Sequence, residues 1–292
     1  MSAAQKKRTA ASSSAAKGGS ARASVGWVSF VGTGPGDPDL LTVKAVELIR
    51  AADVIVTELP SHADLVREVR GDDSATLVDG GIGEDGETLT HAARGRVVVK
   101  QAKAADRVVR LLAGDPFLQG TGPEEAQACR KAGIAFEIVP GVSAAAGVPA
   151  YAGIPLTTRQ RREVAVVRAG DTRIDWSAYA GKQTLVVLLT AAALEEVATE
   201  IIEAGREADT PVAVTHGGTT TEQTTFVSTL DELAAAAKEA ELAGSVVMVV
   251  GDVVELRDTL SWFETKPLFG WRVLVPRTKE QSAGLVHKLR SY

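Results

Sequence analysis

The sequence predicts an α/β protein with two α/β domains, whose mixed, mostly parallel sheets are flanked by helices and separated by an interdomain cleft. Three observations lead to this prediction. Short segments rich in Val, Ile and Leu alternate along the chain with amphipathic segments of helical period. A glycine-rich loop directly follows the first apolar segment. The 292 residues are enough for two domains of ordinary size, each with its own core.

The first strand and its loop are predicted from residues 28–38, which read Val-Ser-Phe-Val-Gly-Thr-Gly-Pro-Gly-Asp-Pro. A strand, a glycine loop and a helix that begins near Leu40 bring the backbone close to a ligand at the carboxyl edge of a sheet. A dinucleotide site would need a third glycine where this chain has Asp37, and Pro35 lacks the N–H that would bind a phosphate. The loop therefore predicts a small-molecule site that does not bind pyrophosphate.

The rest of the first domain follows the same alternation. After the first helix, a buried strand is predicted at residues 53–57, and further strands at 107–112 and 134–139. Residues 123–133 carry the signals of a complete helix, with proline and two acids at the start and two bases and a glycine at the end.

A second series of elements begins after Thr158. The apolar segments predict four strands, and the amphipathic segments predict two helices that cover them. The strands are at 164–167, 185–189, 212–215 and 246–250, and the helices at 191–204 and 230–240. We divide the chain into a disordered basic tail at 1–24, domains at 25–145 and 146–260, and a linker with the start of a further domain at 261–292.

Composition excludes several classes of protein. Cys129 is the one cysteine, so a disulfide framework is excluded, and the four scattered histidines have no metal-ligand spacing. No apolar run is long enough to span a membrane, and the tail lacks the apolar segment of a secretory signal. Beyond the tail, 37 acidic residues face 27 basic ones, which argues against nucleic acid as a partner. We expect a cytoplasmic protein without a metal.

Four motifs in fixed order resemble those of the tetrapyrrole methylases, within which the chain is most similar to the uroporphyrinogen-III C-methyltransferases. They are Val-Gly-Thr-Gly-Pro-Gly-Asp-Pro-Asp-Leu-Leu-Thr, Val-Val-Arg-Leu-Leu-Ala-Gly-Asp-Pro-Phe, Pro-Gly-Val-Ser-Ala and Tyr-Ala-Gly-Ile-Pro-Leu-Thr-Thr-Arg. The resemblance extends from about Val28 to Leu256. It implies the tetrapyrrole methylase fold, a homodimer, a tetrapyrrole substrate, and S-adenosylmethionine as the cofactor, with S-adenosylhomocysteine as its product.

The resemblance also implies which residues contact the cofactor. They lie in loops that follow predicted strands, where backbone groups bind a ligand without adding charge. These residues are Pro35, Ala113, Gly114, Asp115, Leu118, Ser143, Ala144, Leu189 and Gly218.

Two residues are candidates for catalysis. Arg159 matches a family arginine that is implicated in holding the substrate carboxylates, and Arg161 and Arg162 add positive charge beside it. Glu58 follows the second strand where the family has an aspartate. We expect it to remove a proton after methyl transfer or to bind a pyrrole N–H.

The sequence departs from the family pattern at two positions. Leu59 stands where the family often has an arginine, and Gly80 lies near the position of a family lysine. Cofactor binding is therefore better supported than turnover. A module that binds the cofactor or a tetrapyrrole without turnover stays open, as does a methylase for another tetrapyrrole. A third alternative is a dehydrogenase of the NAD type, in which Glu58 would bind a ribose.

The carboxyl end resembles the opening of uroporphyrinogen-III synthase. Residues 271–280, Trp-Arg-Val-Leu-Val-Pro-Arg-Thr-Lys-Glu, predict a strand that leads into a helix, after a linker at 261–270. Too few residues follow to bury a core. We expect residues 1–24 and about 265–292 to be mobile or ordered only by neighbouring residues, and the chain to be the methylase part of a longer fusion.

Overall fold

The computed structural model describes residues 26–83, 86–170, 173–278, 284–286, 288, 289 and 292. The basic tail predicted at 1–24 lies outside these residues. Two five-stranded sheets form the body of the protein, each covered by helices on both faces. The α/β fold class is therefore confirmed. No helix in the described residues is both long enough and apolar enough to cross a membrane.

The first sheet is entirely parallel, with the strand order β3-β2-β4-β1-β5. Its strands are β1 (Trp27–Gly32), β2 (Val54–Thr57), β3 (Thr76–Asp79), β4 (Arg107–Leu112) and β5 (Ala135–Val139). The connecting helices are α1 (Val43–Ala51), α2 (His62–Arg70), α3 (His91–Ala102) and α4 (Gly122–Lys131). Because all five strands run the same way, the loops after β1, β2, β4 and β5 meet at one edge of the sheet.

Side-chain alternation along β1 builds a core on each face of this sheet. Val28 and Phe30 pack with apolar residues of α3 and α4, whereas Val31 packs with those of α1 and α2. Cys129 is fully buried in the first of these cores, as expected of a small apolar side chain. Burial and the Glu125 carboxylate raise the pKa of its thiol to about 11.

The second sheet has the strand order β6-β7-β10-β8-β9, and only its β6–β7 pair is parallel. Its strands are β6 (Val164–Arg168), β7 (Thr184–Thr190), β8 (Pro211–His216), β9 (Thr224–Thr229) and β10 (Ser245–Val250), and its helices are α5 (Ala144–Tyr151), α6 (Leu194–Glu203), α7 (Leu233–Glu239) and α8 (Arg257–Leu260). The prediction of mostly parallel sheets is wrong for this sheet. Residues 217–223 join β8 and β9 as a hairpin, and hairpins give antiparallel pairs.

A buried ion pair fixes the end of β2 beside the site described below. The Arg110 guanidinium donates to both carboxylate oxygens of Glu125, at 2.7 and 2.9 Å, and both side chains are fully buried. Arg110 also donates to the carbonyl oxygen of Thr57 at 2.6 Å. Every charged group of this pair therefore has a partner, as buried ions require.

The segment predicted as a linker at 261–270 packs on the body instead. The ring of Phe263 lies 4.7 Å from that of Tyr151 and 5.3 Å from that of Phe269, centroid to centroid. Glu264 accepts hydrogen bonds from Gln223 and Thr225, each at 2.7 Å. The contact of Phe269 with Phe263 agrees with the expectation that the segment from about residue 265 is ordered by its neighbours.

The strand predicted from Trp271 does not form. Residues 271–278 have no regular secondary structure, and 88% of the Leu274 side chain is exposed. A strand needs a neighbouring strand for its backbone hydrogen bonds, and this segment pairs with neither sheet of the described chain.

Candidate functional site

A cavity of about 570 Å³ lies where the loop edge of the first sheet faces the second sheet. The first sheet contributes the loops after β1 and β4 and the start of α2. The second sheet contributes the ends of β6, β7 and β8 and the start of β10, with α5 between the two sheets. This volume falls within the range of ~300–1,000 Å³ that is typical of small-molecule sites.

All nine residues that the sequence predicts to contact the cofactor line this cavity. They come from five separate parts of the chain, which the fold brings together. They are Pro35, Ala113, Gly114, Asp115, Leu118, Ser143, Ala144, Leu189 and Gly218. Their binding of a cofactor stays a prediction.

Glycines let the loops after β1 and β4 approach each other beside the cavity. The backbones of Gly34 and Gly114 exchange two hydrogen bonds, of 3.2 and 2.8 Å. Gly114 has a φ of +65°, a conformation that L side chains rarely adopt. A Cβ atom at Gly32 would lie 2.6 Å from the Gly114 carbonyl oxygen, so any larger residue there would force the loops apart.

The glycine loop after β1 also contacts the hairpin between β8 and β9, which closes the cavity between the two sheets. The N–H of Asp37 donates to the Thr219 hydroxyl at 3.1 Å. A Cβ atom at Gly36 would lie 2.8 Å from the side chain of Thr220. Asp37, which replaces the third glycine of a dinucleotide loop, accepts a hydrogen bond from the Tyr151 hydroxyl at 2.8 Å. Burial and this carboxylate raise the pKa of Tyr151.

The start of α5 presents a positive helix end to the cavity. Ser143 is the N-cap, and its hydroxyl accepts a hydrogen bond from the N–H of Ala145. Ser143 and Ala144 both line the cavity, and the helix dipole at this end favours a negatively charged group such as a carboxylate. Asp115 holds the neighbouring loop, since its carboxylate accepts from the N–H of Phe117 at 2.8 Å and of Gly141 at 3.0 Å.

The structure does not place Glu58 among the residues that line the cavity. Its carboxylate accepts from the N–H of Ala113 at 2.7 Å and lies 3.3 Å from a guanidinium nitrogen of Arg94. Glu58 therefore holds the loop after β4 through Ala113, and its role in proton removal stays a prediction. Arg94 lies on α3, a helix that the sequence pattern did not reveal.

His62, at the start of α2, lines the cavity and was missed from the sequence. Its Nδ1 accepts from the N–H of Glu58 at 3.2 Å, so its proton is on Nε2, which lies 3.4 Å from the Thr33 hydroxyl. The Thr33 hydroxyl in turn donates to the carbonyl oxygen of Leu112 at 3.2 Å. Burial, with a smaller contribution from Arg110, lowers the pKa of His62 from 6.5 to about 4. The imidazole is therefore neutral and links the loops after β1, β2 and β4.

Arg159 is exposed and lies outside the cavity lining. Its carbonyl oxygen accepts a hydrogen bond from Arg162, and Arg161 forms an ion pair with Asp252. Two of the three arginines in the predicted basic loop therefore bind other groups of the protein. Among the described residues, Arg168 at the end of β6 is the one lysine or arginine that lines the cavity. The signal that could have found it is its place directly after an apolar strand, the same signal that singled out Glu58.

Comparison with known proteins assigns the family. The family model described as tetrapyrrole (corrin/porphyrin) methylases matches residues 28–234. The chain belongs to this family. A siroheme synthase of Aeromonas hydrophila is 40% identical over 249 residues, which are 83% of this chain and 52% of that protein. A siroheme synthase of Azotobacter vinelandii is 39% identical over 252 residues, 84% of this chain and 54% of that protein. This methylase chain therefore spans about half the length of the curated relatives it matches.

Solved structures of methylases share the fold of this one. A uroporphyrin III C-methyl transferase from Thermus thermophilus superposes with a TM-score of 0.67 at 30% identity, over 79% of this chain and 100% of that chain. The same enzyme has been solved in complex with S-adenyl homocysteine, at 29% identity and a TM-score of 0.67 over 79% of this chain and 100% of that one. A cobalt precorrin-4 methyltransferase has a TM-score of 0.69 at 25% identity, over 80% of this chain and 98% of that one.

Proposed function

We propose that this chain is an S-adenosylmethionine-dependent C-methyltransferase that methylates uroporphyrinogen-III towards precorrin-2, in the biosynthesis of sirohaem or cobalamin. The observation that carries the proposal is the convergence on one cavity of nine residues that the family motifs predict to bind the cofactor. The similarity to the Thermus enzyme, which was solved with S-adenyl homocysteine, supports the same assignment.

The residues present fit this cofactor. Gly114 and Gly36 leave the backbone open where any side chain would be strained or would clash. The aliphatic side chains of Leu189 and Leu118 offer apolar surface to a flat base. The start of α5, at Ser143, suits the cofactor carboxylate. When bound, S-adenosylmethionine supplies an activated methyl group on a sulfonium centre.

The contribution of the protein to methyl transfer is alignment and exclusion of water. A porphyrinogen carbon is a strong nucleophile, so catalysis requires mainly that carbon, methyl and sulfur lie in line. The glycine loop after β1 and the 217–223 hairpin both line the cavity, and the hydrogen bond from Asp37 to Thr219 joins them. Hydrogen bonds on both imidazole nitrogens hold the neutral His62 in place. It therefore fixes the geometry of the loops and does not accept the proton that the tetrapyrrole loses.

A binding module without turnover remains the second candidate, and one observation favours it. The family often has an arginine at position 59 and has a lysine near position 80, where this chain has Leu59 and Gly80. Leu59 lines the cavity, and a Cβ atom at Gly80 would lie 2.8 Å from the buried guanidinium of Arg110. A lysine at position 80 would therefore not fit. The NAD-type alternative is excluded by the family assignment, and the Glu58 carboxylate is bonded to Ala113.

Three finer features belong to the same proposal. The homodimer and a synthase domain fused to the carboxyl end depend on the resemblance alone. The cytoplasmic location depends on composition, since Cys129 is the one cysteine of the chain.

Product analysis decides between the two candidate functions. The purified protein is incubated with uroporphyrinogen-III and S-adenosylmethionine under anaerobic conditions, and the tetrapyrroles are analysed by mass spectrometry. Methylated product that is absent without protein supports the methyltransferase. Binding of S-adenosylhomocysteine without any methylated product would support the binding module instead.

A further inference from the structure

We infer that Arg168 is the group that binds a carboxylate of the tetrapyrrole, and that it sets the side of the cavity on which the ring carboxylates lie. This inference depends on the proposed function, because it assigns a role within the same cavity. The sequence pattern pointed to Arg159 for this role, but Arg159 does not line the cavity.

The distribution of charge around the cavity carries the first step. Asp64, Glu68 and Asp115 line it from the side of the first sheet, and Arg168 is the one lysine or arginine of the described residues that lines it from the other side. The buried His62 is neutral at physiological pH, because burial lowers its pKa to about 4. A carboxylate of a ligand that enters this cavity is therefore attracted to the end of β6.

The acidic groups in the cavity are not equivalent to free carboxylates. Asp115 accepts two backbone hydrogen bonds, and Asp64 forms an ion pair with Arg67. Both carboxylates therefore have partners other than Arg168. Arg168 itself forms no ion pair within the described residues, so its positive charge stays available to a ligand.

The geometry of Arg168 carries the second step. One terminal nitrogen, Nη1, donates to the carbonyl oxygen of Gln119 at 2.6 Å. Within the described residues its Nε and its other terminal nitrogen, Nη2, donate no hydrogen bond, which leaves the two-pronged side of the guanidinium open. That side matches the two oxygens of a carboxylate.

The loop that holds Arg168 is itself constrained. Gln119 has a φ of +61°, which is unusual for a residue with a side chain. Its side-chain amide nitrogen, Nε2, lies 3.5 Å from the carbonyl oxygen of Val166 on β6. Two contacts therefore join the loop after β4 to β6 across the cavity. They fix one end of the guanidinium before a ligand binds, which lowers the entropy that binding would cost.

The test measures binding rather than turnover, so it remains readable if the methyltransferase activity fails. Uroporphyrin III, the stable oxidised analogue, is titrated by fluorescence against the wild-type protein, Arg168→Gln and Arg168→Lys, and S-adenosylhomocysteine is titrated against the same proteins by calorimetry. Arg96→Gln is the matched control, because Arg96 is exposed on α3 and does not line the cavity. Circular dichroism and thermal unfolding check that each variant is folded.

We expect Arg168→Gln to weaken uroporphyrin binding about 10- to 100-fold, the loss of a charged hydrogen bond, while the affinity for S-adenosylhomocysteine changes less than about twofold. Arg168→Lys should recover part of the loss, and the uroporphyrin affinity of Arg168→Gln should depend less on salt than that of the wild type. Arg96→Gln should bind like the wild type.

Three results would overturn the inference. One is a uroporphyrin affinity unchanged in Arg168→Gln or lowered equally in Arg96→Gln. Another is an equal loss of affinity for S-adenosylhomocysteine, which would assign Arg168 to the cofactor carboxylate. The last is a wild-type protein that binds S-adenosylhomocysteine but no uroporphyrin. By contrast, a wild-type protein that binds uroporphyrin through Arg168 but neither binds S-adenosylhomocysteine nor forms product would refute the proposed function and leave this inference intact.

Discussion

The neutral state of His62 makes the stability of this protein depend on pH in a defined window. The pKa of its imidazole is about 4 in the folded protein and 6.5 in the unfolded chain. Because the folded value is the lower one, the stabilisation is fully present above pH 6.5 and is lost as the pH falls towards 4. The difference of about 2.5 pH units corresponds to about 3 kcal/mol in total, of which about 2 kcal/mol is lost between pH 7.5 and pH 5.

The variant His62→Gln isolates this contribution, because an amide also accepts one hydrogen bond and donates another but does not titrate. Urea unfolding, followed by tryptophan fluorescence, gives the free energy of unfolding of both proteins at pH 7.5 and pH 5. We expect the wild type to lose about 2 kcal/mol more than His62→Gln across this interval. Equal losses, or an NMR signal of His62 that titrates near 6.5, would refute the reasoning.

Three further variants test how the site is held together. Glu58→Gln keeps an acceptor for the N–H of Ala113, so we expect turnover and cofactor affinity near those of the wild type. A fall in kcat of about 100-fold, with cofactor affinity preserved, would support proton removal by Glu58 instead. Glu125→Ala leaves Arg110 buried without its ion partner and should lower the free energy of unfolding by about 3–5 kcal/mol, whereas a loss below about 1 kcal/mol in urea unfolding would contradict the buried pair. Phe263→Ala should cost about 3 kcal/mol in thermal unfolding if the 261–270 segment is packed, and a melting temperature equal to that of the wild type would show that the segment is free.

The sequence predicted the cavity better than it predicted the chemistry within it. Gly114, Ser143 and Gly218 belong to motifs of fixed order, and each follows or precedes an element that strong apolar periodicity reveals. Because strand direction alone decides where such loops meet, the position of these residues follows from the fold. Their convergence on one cavity is therefore the part of the site that the sequence could give.

The directions of long side chains could not be predicted in the same way. Glu58 binds Ala113 and lies beside Arg94, on a helix whose mixture of alanine, valine and arginine gave no clear period. Arg159 lies outside the cavity lining, whereas Arg168 is part of it. Which of them meets the ligand depends on packing between the two sheets, and a single sequence does not contain that information.

The carboxyl end illustrates a second limit. Residues 271–278 have the pattern of a strand, but they pair with neither sheet of the described chain, and Leu274 is almost wholly exposed. The sequence predicts a linker at 261–270, yet Trp262 and Phe263 pack against Tyr151. Local pattern indicates what a segment is able to form, whereas its tertiary contacts decide whether it does.

Calorimetric titration with S-adenosylhomocysteine tests most directly the central claim that this cavity is the cofactor site. The variant is Ala113→Trp, since Ala113 is exposed at the cavity wall and a bulky ring there fills the site without entering a core. Its control is Ala92→Trp, the same change at an exposed position on α3 outside the cavity lining. We expect the wild type and Ala92→Trp to bind with equal, sub-millimolar affinity and Ala113→Trp to lose binding. No heat of binding with the wild type at millimolar ligand, or equal binding by Ala113→Trp, would contradict the assignment of this cavity.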